Sequence, residues 1–535
     1  MAVLQDLVSS QVERTPEAIA LEMQGQTVSY ARLEAASNRL ANLLLELGCA
    51  RGDRVCLFLP KGIDAVVGML GTLKAGGVYV PIDLDSPAAR VRRVVQACEP
   101  FAALVDERGA KLLAGAAGDA PGVPRLVAMS GPTPALEAVA ACVDAAALTA
   151  MPDTRPASRS ADESAAHILF TSGSTGVPKG VVITHANVAA FLDWACEYFG
   201  IEAGKRISGH PPLHFDLSTF DIYGTLSRGA TLCMVPPALN LLAPKLAQFI
   251  RDARLNQWFS VPSILTYLAN FDVVAQGDFP HLERLLWCGE VLPTPTLTYW
   301  MERLPHVTFT NLYGPTEATI ASSYFTVTRA PKDELEDVPI GAACTGEELL
   351  VLDEALAPVG VGVVGDIYIR GAGLSPGYWR DAATTAAAFV ANPADPDDRL
   401  YRTGDRGWIA EDGLMRYVGR ADSQIKSRGY RIEPGEIEAA LSALGYLRES
   451  AVVGVRTGGF ENWAICCAYV PTDPAELAPA KLRRDLMGAL PSYMLPAHWR
   501  RYPALPKNAN GKIDRRAIRE RFEAMLAPSN PSMAE

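Results

Sequence analysis

The chain has 535 residues, room for three or four folding units at a usual domain size of ~100–200 residues. It is 49% hydrophobic and 20% charged, which excludes a disordered or fibrous chain, and its net charge of −11 argues against a surface that binds nucleic acid indiscriminately. Ten cysteines with no C-x-x-C pair fit neither a disulfide scaffold nor a thiolate zinc site. Met1–Arg14 carries Asp6 early and no basic start, so it does not read as a signal peptide, and no window of ~18 apolar residues is free of charge. A soluble, cytoplasmic chain without a membrane partner is expected.

In chain order, Arg54–Leu59 (RVCLFL) reads as a strand. Gly62–Ala75 repeats apolar residues at helical spacing, and Gly76–Gly77 releases the chain into an extended Val78–Ile82. Residues 114–124 and 151–164, rich in Ala, Gly, Pro and Ser, read as surface loops. The strand–helix rhythm returns at 165–200, where HILF, a glycine-rich turn and VVIT precede a helical pattern over 186–199. Such alternation predicts an α/β fold: a large N-terminal domain of mixed sheets with flanking helices. Near residue 420 the pattern changes. Gln424–Ile432 reads as a strand and Pro434–Leu444 as a helix with proline in its first turn. The expected division is 1–420 and a small, mobile α+β C-terminal domain at 421–535. Between Lys481 and Arg521 the chain holds 11 Lys and Arg against 3 Asp and Glu, a local net of +8. The tail from Pro528 reads as disordered.

Thr171-Ser-Gly-Ser-Thr-Gly-Val-Pro-Lys-Gly180 lies between two predicted strands. Its hydroxyls and glycine amides suit a phosphate chain and Lys179 adds charge, although no Walker A lysine follows the glycines. The bland alternative is a plain loop. The full string resembles the phosphate loop of the adenylate-forming superfamily, which includes acyl-CoA synthetases, luciferases and nonribosomal peptide adenylation domains. Further matches follow in order from about residue 28 to 516. They are Val28-Ser-Tyr-Ala-Arg-Leu33, Leu73-Lys-Ala-Gly-Gly-Val-Tyr-Val-Pro-Ile-Asp83, Phe215-Asp-Leu-Ser218, Asn311-Leu-Tyr-Gly-Pro-Thr-Glu317 and Gly371-Ala-Gly-Leu-Ser-Pro-Gly-Tyr378. Tyr401-Arg-Thr-Gly-Asp405, Gly419-Arg-Ala-Asp422, Leu490-Pro-Ser-Tyr-Met-Leu-Pro496 and Asn510-Gly-Lys-Ile-Asp-Arg515 complete the series.

The resemblance implies that ATP and a carboxylate give an acyl-adenylate and pyrophosphate, after which a thiol displaces AMP. The protein then mainly positions groups and neutralises phosphate charge. It implies that Thr171, Ser172, Gly173, Ser174, Thr175, Gly176 and Lys179 cradle the phosphates and that Glu317 ligates Mg²⁺. Read alone, Glu317 is better taken as a helix N-terminal carboxylate that stabilises the dipole. Tyr313 is implied to stack on adenine, with Gly289, Glu290 and Gly314 beside the purine and Asp405 and Arg420 at the ribose. Without the resemblance, Asp405 in Thr-Gly-Asp reads as a turn aspartate. Lys512 is implied to bridge the substrate carboxylate and the α-phosphate. Asp422 matches the family hinge, Lys426 replaces Lys512 for the second half-reaction, and Gly429 lines a pantetheine tunnel.

Asp216 points to the substrate class. In amino-acid-activating members of the family the matching aspartate pairs with the α-ammonium, and a carboxylate in the apolar string His-Phe-Asp-Leu-Ser needs such a partner. The implied pocket wall is Leu217, Phe220, Ile264, Leu286, Cys288, Leu312, Ile320 and Ala321. It has no charged side chain and several bulky ones, which favours alanine, glycine or serine, with L-proline close behind. Cys288-Gly-Glu-Val-Leu-Pro293 resembles D-alanine–carrier protein ligases, and Cys288 has no histidine in its motif to make it a nucleophile. The implied partner is a separate carrier protein bearing phosphopantetheine, since no carrier domain follows before Glu535, in natural-product biosynthesis. The +8 segment offers either a docking face for an acidic carrier or merely solvated helices. The alternatives are an acyl-CoA synthetase and a catalytically silent binding module; Asp216 argues against the first and the lysines and carboxylates together against the second.

Overall fold

The computed structural model describes residues 3–117, 125–129, 142–173, 178–333, 336–457, 463–473, 477–508 and 512–526. The chain divides into two compact units. The first comprises Met1–Leu84, Val94–Phe170 and Lys179–Ala421; the second comprises Asp85–Arg93, Thr171–Pro178 and Asp422–Glu535.

Two large sheets and a smaller antiparallel one organise the first unit. In the nine-stranded sheet, Thr308–Tyr313, Arg284–Cys288, Gln257–Ser260, Arg206–Gly209, Thr231–Met234 and Ile19–Met23 lie side by side and parallel. Antiparallel strands flank them, Ser323–Val327 and then Ala342–Ala343 at one end and Gln26–Ser29 at the other. The eight-stranded sheet is built around parallel Arg54–Phe58, flanked by Val78–Pro81 and Ala102–Val105, and has Lys179–Thr184 paired antiparallel with Gly377–Tyr378. Strands covered on both faces have no solvent side, which is why RVCLF is a continuous apolar run rather than an alternating one. Helix Ile63–Lys74 is buried from Ala65 through Lys74 for the same reason. The third sheet pairs Glu347–Leu352, Gly365–Gly371 and the 15-residue strand Asp395–Ile409, which also pairs with Met415–Arg420.

The second unit is a three-stranded sheet covered on both faces. Leu447–Arg456 and Trp463–Pro471 are antiparallel, and His498–Arg501 adds in parallel. Val452, Ile465 and Cys467 face helices Pro434–Ser442 and Pro479–Met487, whereas Val453, Ala464 and Cys466 face Ile518 and Phe522 of helix Arg515–Leu526. The period of two thus sends the neighbouring cysteines to opposite cores. The architecture is mixed α/β, with a large N-terminal sheet-containing domain and a smaller C-terminal one.

Two local expectations need correcting. Gln424–Ile432 is a hairpin rather than one strand: Ile425–Ser427 pairs with Tyr430–Ile432, and Arg428 and Gly429 turn the chain with φ of 54° and 77°. Residues 114–117 end the helix Glu107–Ala117 instead of opening a loop, because Leu112, Leu113 and the alanines after them carry the helical pattern on. Residues 118–124 lie outside the described residues, as does the tail from Pro528.

A Cβ on Gly109, in that helix, would lie 1.9 Å from the Phe58 carbonyl oxygen, and backbone cannot yield as a side chain tip does. Gly109→Ala should therefore lower the thermal unfolding midpoint, with overpacking of ~1–3 kcal/mol outweighing the ~1 kcal/mol that alanine gains in a helix. A raised midpoint would contradict this packing.

Candidate active site

Two parallel strands of the first unit, Arg284–Cys288 and Thr308–Tyr313, deliver one wall. Cys288 is paired with Leu312, and Leu286 lies two residues before Cys288, so all three share a sheet face. A helical stretch beginning at Leu217 supplies Leu217 and Phe220, and the turn after Thr316–Ala318 supplies Ile320 and Ala321. These seven side chains belong to one continuous buried cluster. The rings of Phe191, Phe199 and Phe259 hold Phe220 at 5.4–5.9 Å. Ile264 is the exception among the expected wall residues. It sits on helix Pro262–Asn270, in the separate core that contains Leu265, Leu268 and Trp300.

Asp216 stands at the start of this helical stretch and is 8% exposed. Burial raises its carboxyl to about 6; the Thr316 hydroxyl and the Leu217 amide pull it back, and the Glu317 charge pushes it further up. The helix then widens into a π-turn over Phe220–Gly224, a form frequent at functional sites.

Glu317 is wholly buried, and its Oε1 accepts a hydrogen bond from the Tyr378 hydroxyl at 2.7 Å. Lys179 places its Nζ 5.5 Å from the centre of the Tyr378 ring. Tyr313 closes the strand Thr308–Tyr313 and donates from its hydroxyl to Asp405 Oδ2 at 2.8 Å. Arg420 Nη1 donates to Asp405 Oδ1 at 3.0 Å. The Thr-Gly-Asp string is not a turn: it lies inside the long strand, where Gly404 takes φ 73° and the pairing with Gly365–Gly371 slips. That irregularity re-aims Asp405. Gly289 has φ 96°, and Glu290 accepts from the Ser263 amide at 3.3 Å. Gly314 admits no side chain, since a Cβ would lie 2.5 Å from Ala321 Cα.

Other expected site residues lie in the second unit. Ser172 donates to the Arg431 carbonyl at 2.5 Å, and Thr171 Oγ1 is buried without a hydrogen-bond partner. Gly173 follows it. Lys426 is in the hairpin strand Ile425–Ser427, Gly429 is in its turn, and exposed Asp422 accepts from the Gln424 amide at 3.0 Å. Lys512 is exposed, where its amide donates to Asn508 Oδ1 at 3.1 Å. Ser174, Thr175, Gly176, Asn510 and Gly511 lie outside the described residues.

Sequence reasoning missed Tyr378 and Thr316 as site residues. Both stand inside the quoted motifs, but their roles are contacts with Glu317 and Asp216 that span the fold, and no local pattern announces them. As for a metal, no cluster of three or more His, Cys, Asp or Glu gathers among the described residues. A lone buried carboxylate, Glu317, suits a Mg²⁺ held mostly by phosphate oxygens and water.

Arg420 and Asp405 are 11% and 3% exposed as side chains, so removing the cation strands a buried carboxylate. Arg420→Ala should cost about 3–5 kcal/mol in urea unfolding, and adding Asp405→Asn should recover part of it. Equal stability of Arg420→Ala and the unaltered chain would refute the pairing.

Comparison with known proteins identifies the family. The AMP-binding enzyme family matches residues 8–379, and the AMP-binding enzyme C-terminal domain matches residues 436–512. The L-proline--[L-prolyl-carrier protein] ligase of Pseudomonas fluorescens is 34% identical over 98% of this chain and 100% of its own length. The dimodular nonribosomal peptide synthase of Bacillus subtilis is 36% identical over 96% of the chain, which spans only 21% of that much longer relative. Among solved structures, holo-PA1221, a nonribosomal peptide synthetase protein with adenylation and PCP domains, aligns with TM-score 0.79 and 28% identity over 97% of this chain and 84% of its own. Among the described residues no helix is long and apolar enough to cross a membrane. The chain belongs to the AMP-binding enzyme family.

Proposed function

We propose that this chain activates a small amino acid as its aminoacyl-adenylate and passes it to the phosphopantetheine thiol of a carrier protein. The observation that carries the reading is Asp216: an 8%-exposed carboxylate among apolar walls, suited to an ammonium and to no fatty or aryl acid. Leu217, Leu286, Cys288 and Leu312 leave the substrate side chain only apolar company, which favours glycine, alanine or serine. The full-length proline-ligase relative supports L-proline as the second reading. Ile264, placed in another core, contributes least to this selection.

In this reading the hydroxyls of Thr171, Ser172 and Thr175, the amides of Gly173, Ser174 and Gly176, and Lys179 hold the ATP phosphates. Tyr313, Gly289, Glu290 and Gly314 take the adenine. Asp405 takes the ribose hydroxyls, with Arg420 fixing its carboxylate. Glu317 would hold Mg²⁺, which supplies charge neutralisation at the phosphates when bound. Lys512 is assigned to bridge the attacking carboxylate and the α-phosphate, where a compact charge would meet the electrons gathering on the phosphoryl oxygens. In this reading the small domain would begin at residue 421 and hinge at Asp422, Lys426 would serve the thioester step and Gly429 would leave room for the pantetheine arm. The basic C-terminal segment is a weaker docking candidate than its charge suggests. Arg515 is bound to Glu438 by two hydrogen bonds of 2.6–2.7 Å, and Arg516 pairs with Glu520 on the same helix.

Lys512→Ala should reduce amino-acid-dependent ATP–pyrophosphate exchange at least a hundredfold, about 2.7 kcal/mol of transition-state stabilisation, while ATP still binds. Near-normal exchange would sink the assignment. Asp216 pairs with an ammonium only when ionised, so kcat/KM for the amino acid should fall as pH drops through about 6. Asp216→Asn should abolish that limb and raise the amino-acid KM far more than the ATP KM. A variant that keeps the wild-type profile would move the ammonium site elsewhere.

A further inference from the structure

Five residues beyond Asp216, on the same helical stretch, Asp221 is 2% exposed, and both its carboxylate oxygens are buried without a hydrogen-bond partner. It is not a member of the nucleotide or amino-acid site described above. A cavity of about 10 Å³, enough for one water molecule, is lined by Asp221 together with Lys61, Gly209 and Ser218. Lys61 follows the strand Arg54–Phe58 and turns its ammonium inward, donating to the carbonyls of Gly209 at 3.0 Å and His210 at 2.6 Å. Burial pulls Lys61 down to about 7 against the opposing charge of Asp221. Asp221 is pushed well above the usual carboxylate range by its own burial, with the nearby His210 amide and Lys61 acting the other way. Neither charge is comfortable without the other.

What these two groups hold is the turn that leads to Asp216. Gly209 ends the strand Arg206–Gly209, and His210 is fixed on its other side by Asn240 Oδ1 at 3.1 Å and by the Trp258 ring at 4.8 Å. Pro211 and Pro212 come next, two residues with φ locked near −65°, and the Phe215 amide then returns to the Pro212 carbonyl at 3.0 Å. A segment this stiff transmits a shift at 209–210 to Asp216 instead of absorbing it.

We propose that Lys61 and Asp221 are positioning residues for the amino-acid pocket: Lys61 clamps the Gly209 and His210 carbonyls, Asp221 balances its charge across the water-sized cavity, and the clamp sets where Asp216 meets the substrate ammonium. The proposal rests on the reading of Asp216 as the ammonium anchor. A mere stabilising pair would lower the yield or the unfolding temperature and leave substrate constants alone. A clamp acts on one substrate and not the other.

The test is ATP–pyrophosphate exchange on the full chain, with the best substrate among glycine, L-alanine, D-alanine, L-serine and L-proline. Lys61→Met, Asp221→Asn and the double variant are compared with Asp216→Asn. The clamp predicts an amino-acid KM raised at least tenfold in each of the first three, with the ATP KM within about twofold. Lys61→Arg, which keeps the donors, should recover most of the loss. The double variant carries no unbalanced buried charge, so it should unfold at close to the wild-type temperature while its amino-acid KM stays high; it bears the test alone if the single variants do not fold. An amino-acid KM within twofold of wild type in any folded Lys61→Met, Asp221→Asn or double variant overturns the clamp. If Asp216→Asn raises the KM in that same experiment, the ammonium reading survives without the clamp; if Asp216→Asn also leaves it unchanged, both fall.

Discussion

A carboxylate withdrawn from water into apolar surroundings is costly by several kcal/mol unless a cation or strong donors meet it. Asp216 is in that position. Its surroundings do not neutralise it: a threonine hydroxyl and two backbone amides help, and the nearby Glu317 charge works against it. A group so poised suits a positive charge, the role proposed for it. The parallel strands that bring Leu286, Cys288 and Leu312 to one face keep water and competing polar groups away from it. Under the proposed function, selectivity among small amino acids would depend on volume, a weak discriminator worth only ~1–3 kcal/mol per methylene.

The nucleotide-side residues follow the opposite rule. Asp405 is as buried as Asp216, yet it is held by Arg420 and by the Tyr313 hydroxyl. Glu317 is held by Tyr378. Carboxylates fixed by internal donors are oriented before any ligand arrives, which suits groups whose task is to place hydroxyls or a metal-bound phosphate. Arg420 gives Asp405 an internal cation, whereas neutral donors meet Asp216 and Glu317, the two carboxylates to which the proposal assigns external cations. That difference in partners separates Asp405 from the other two more sharply than burial, which is similar for all three.

Much of this was legible before the structure. The alternation of strands and helices, the change near residue 420 and the helices over 62–75 and 186–199 all follow from periods of 2 and 3.6. What escaped the sequence was non-local or conformational. Arg428 in the left-handed region carries no compositional flag, so the 424–432 hairpin read as one strand. Gly404 looked like a turn glycine because a slip inside a 15-residue strand uses the same residue for the same positive φ. Ile264 has the right chemistry for a pocket wall, but helix Pro262–Asn270 buries it in the other core, a choice made by packing between layers. Tyr378 meets Glu317 across 61 residues, a distance at which no pattern in one sequence speaks.

The turn after Glu317 shows how the two halves of the site are kept from compromising each other. Thr319 and Ile320 have φ of 55° and 70°, a conformation that β-branched residues avoid and that costs of order 1–3 kcal/mol each. Three hydrogen bonds hold it: Thr319 Oγ1 to the Gly373 carbonyl at 2.6 Å, the Ala321 amide to the Thr319 carbonyl at 2.9 Å, and the Ser322 amide to the Tyr313 carbonyl at 2.8 Å. Within three residues the chain must carry Glu317 to Tyr378 and return Ile320 to the apolar cluster beside Leu312. An ordinary helical or extended path would continue in one direction and give up one of the two contacts. The left-handed pair reverses the chain in the shortest distance, and Gly314, with no room for a Cβ against Ala321, lets the returning strand approach that closely. Strain at this turn is therefore the geometric consequence of joining the buried Glu317–Tyr378 contact and the apolar cluster through one short segment.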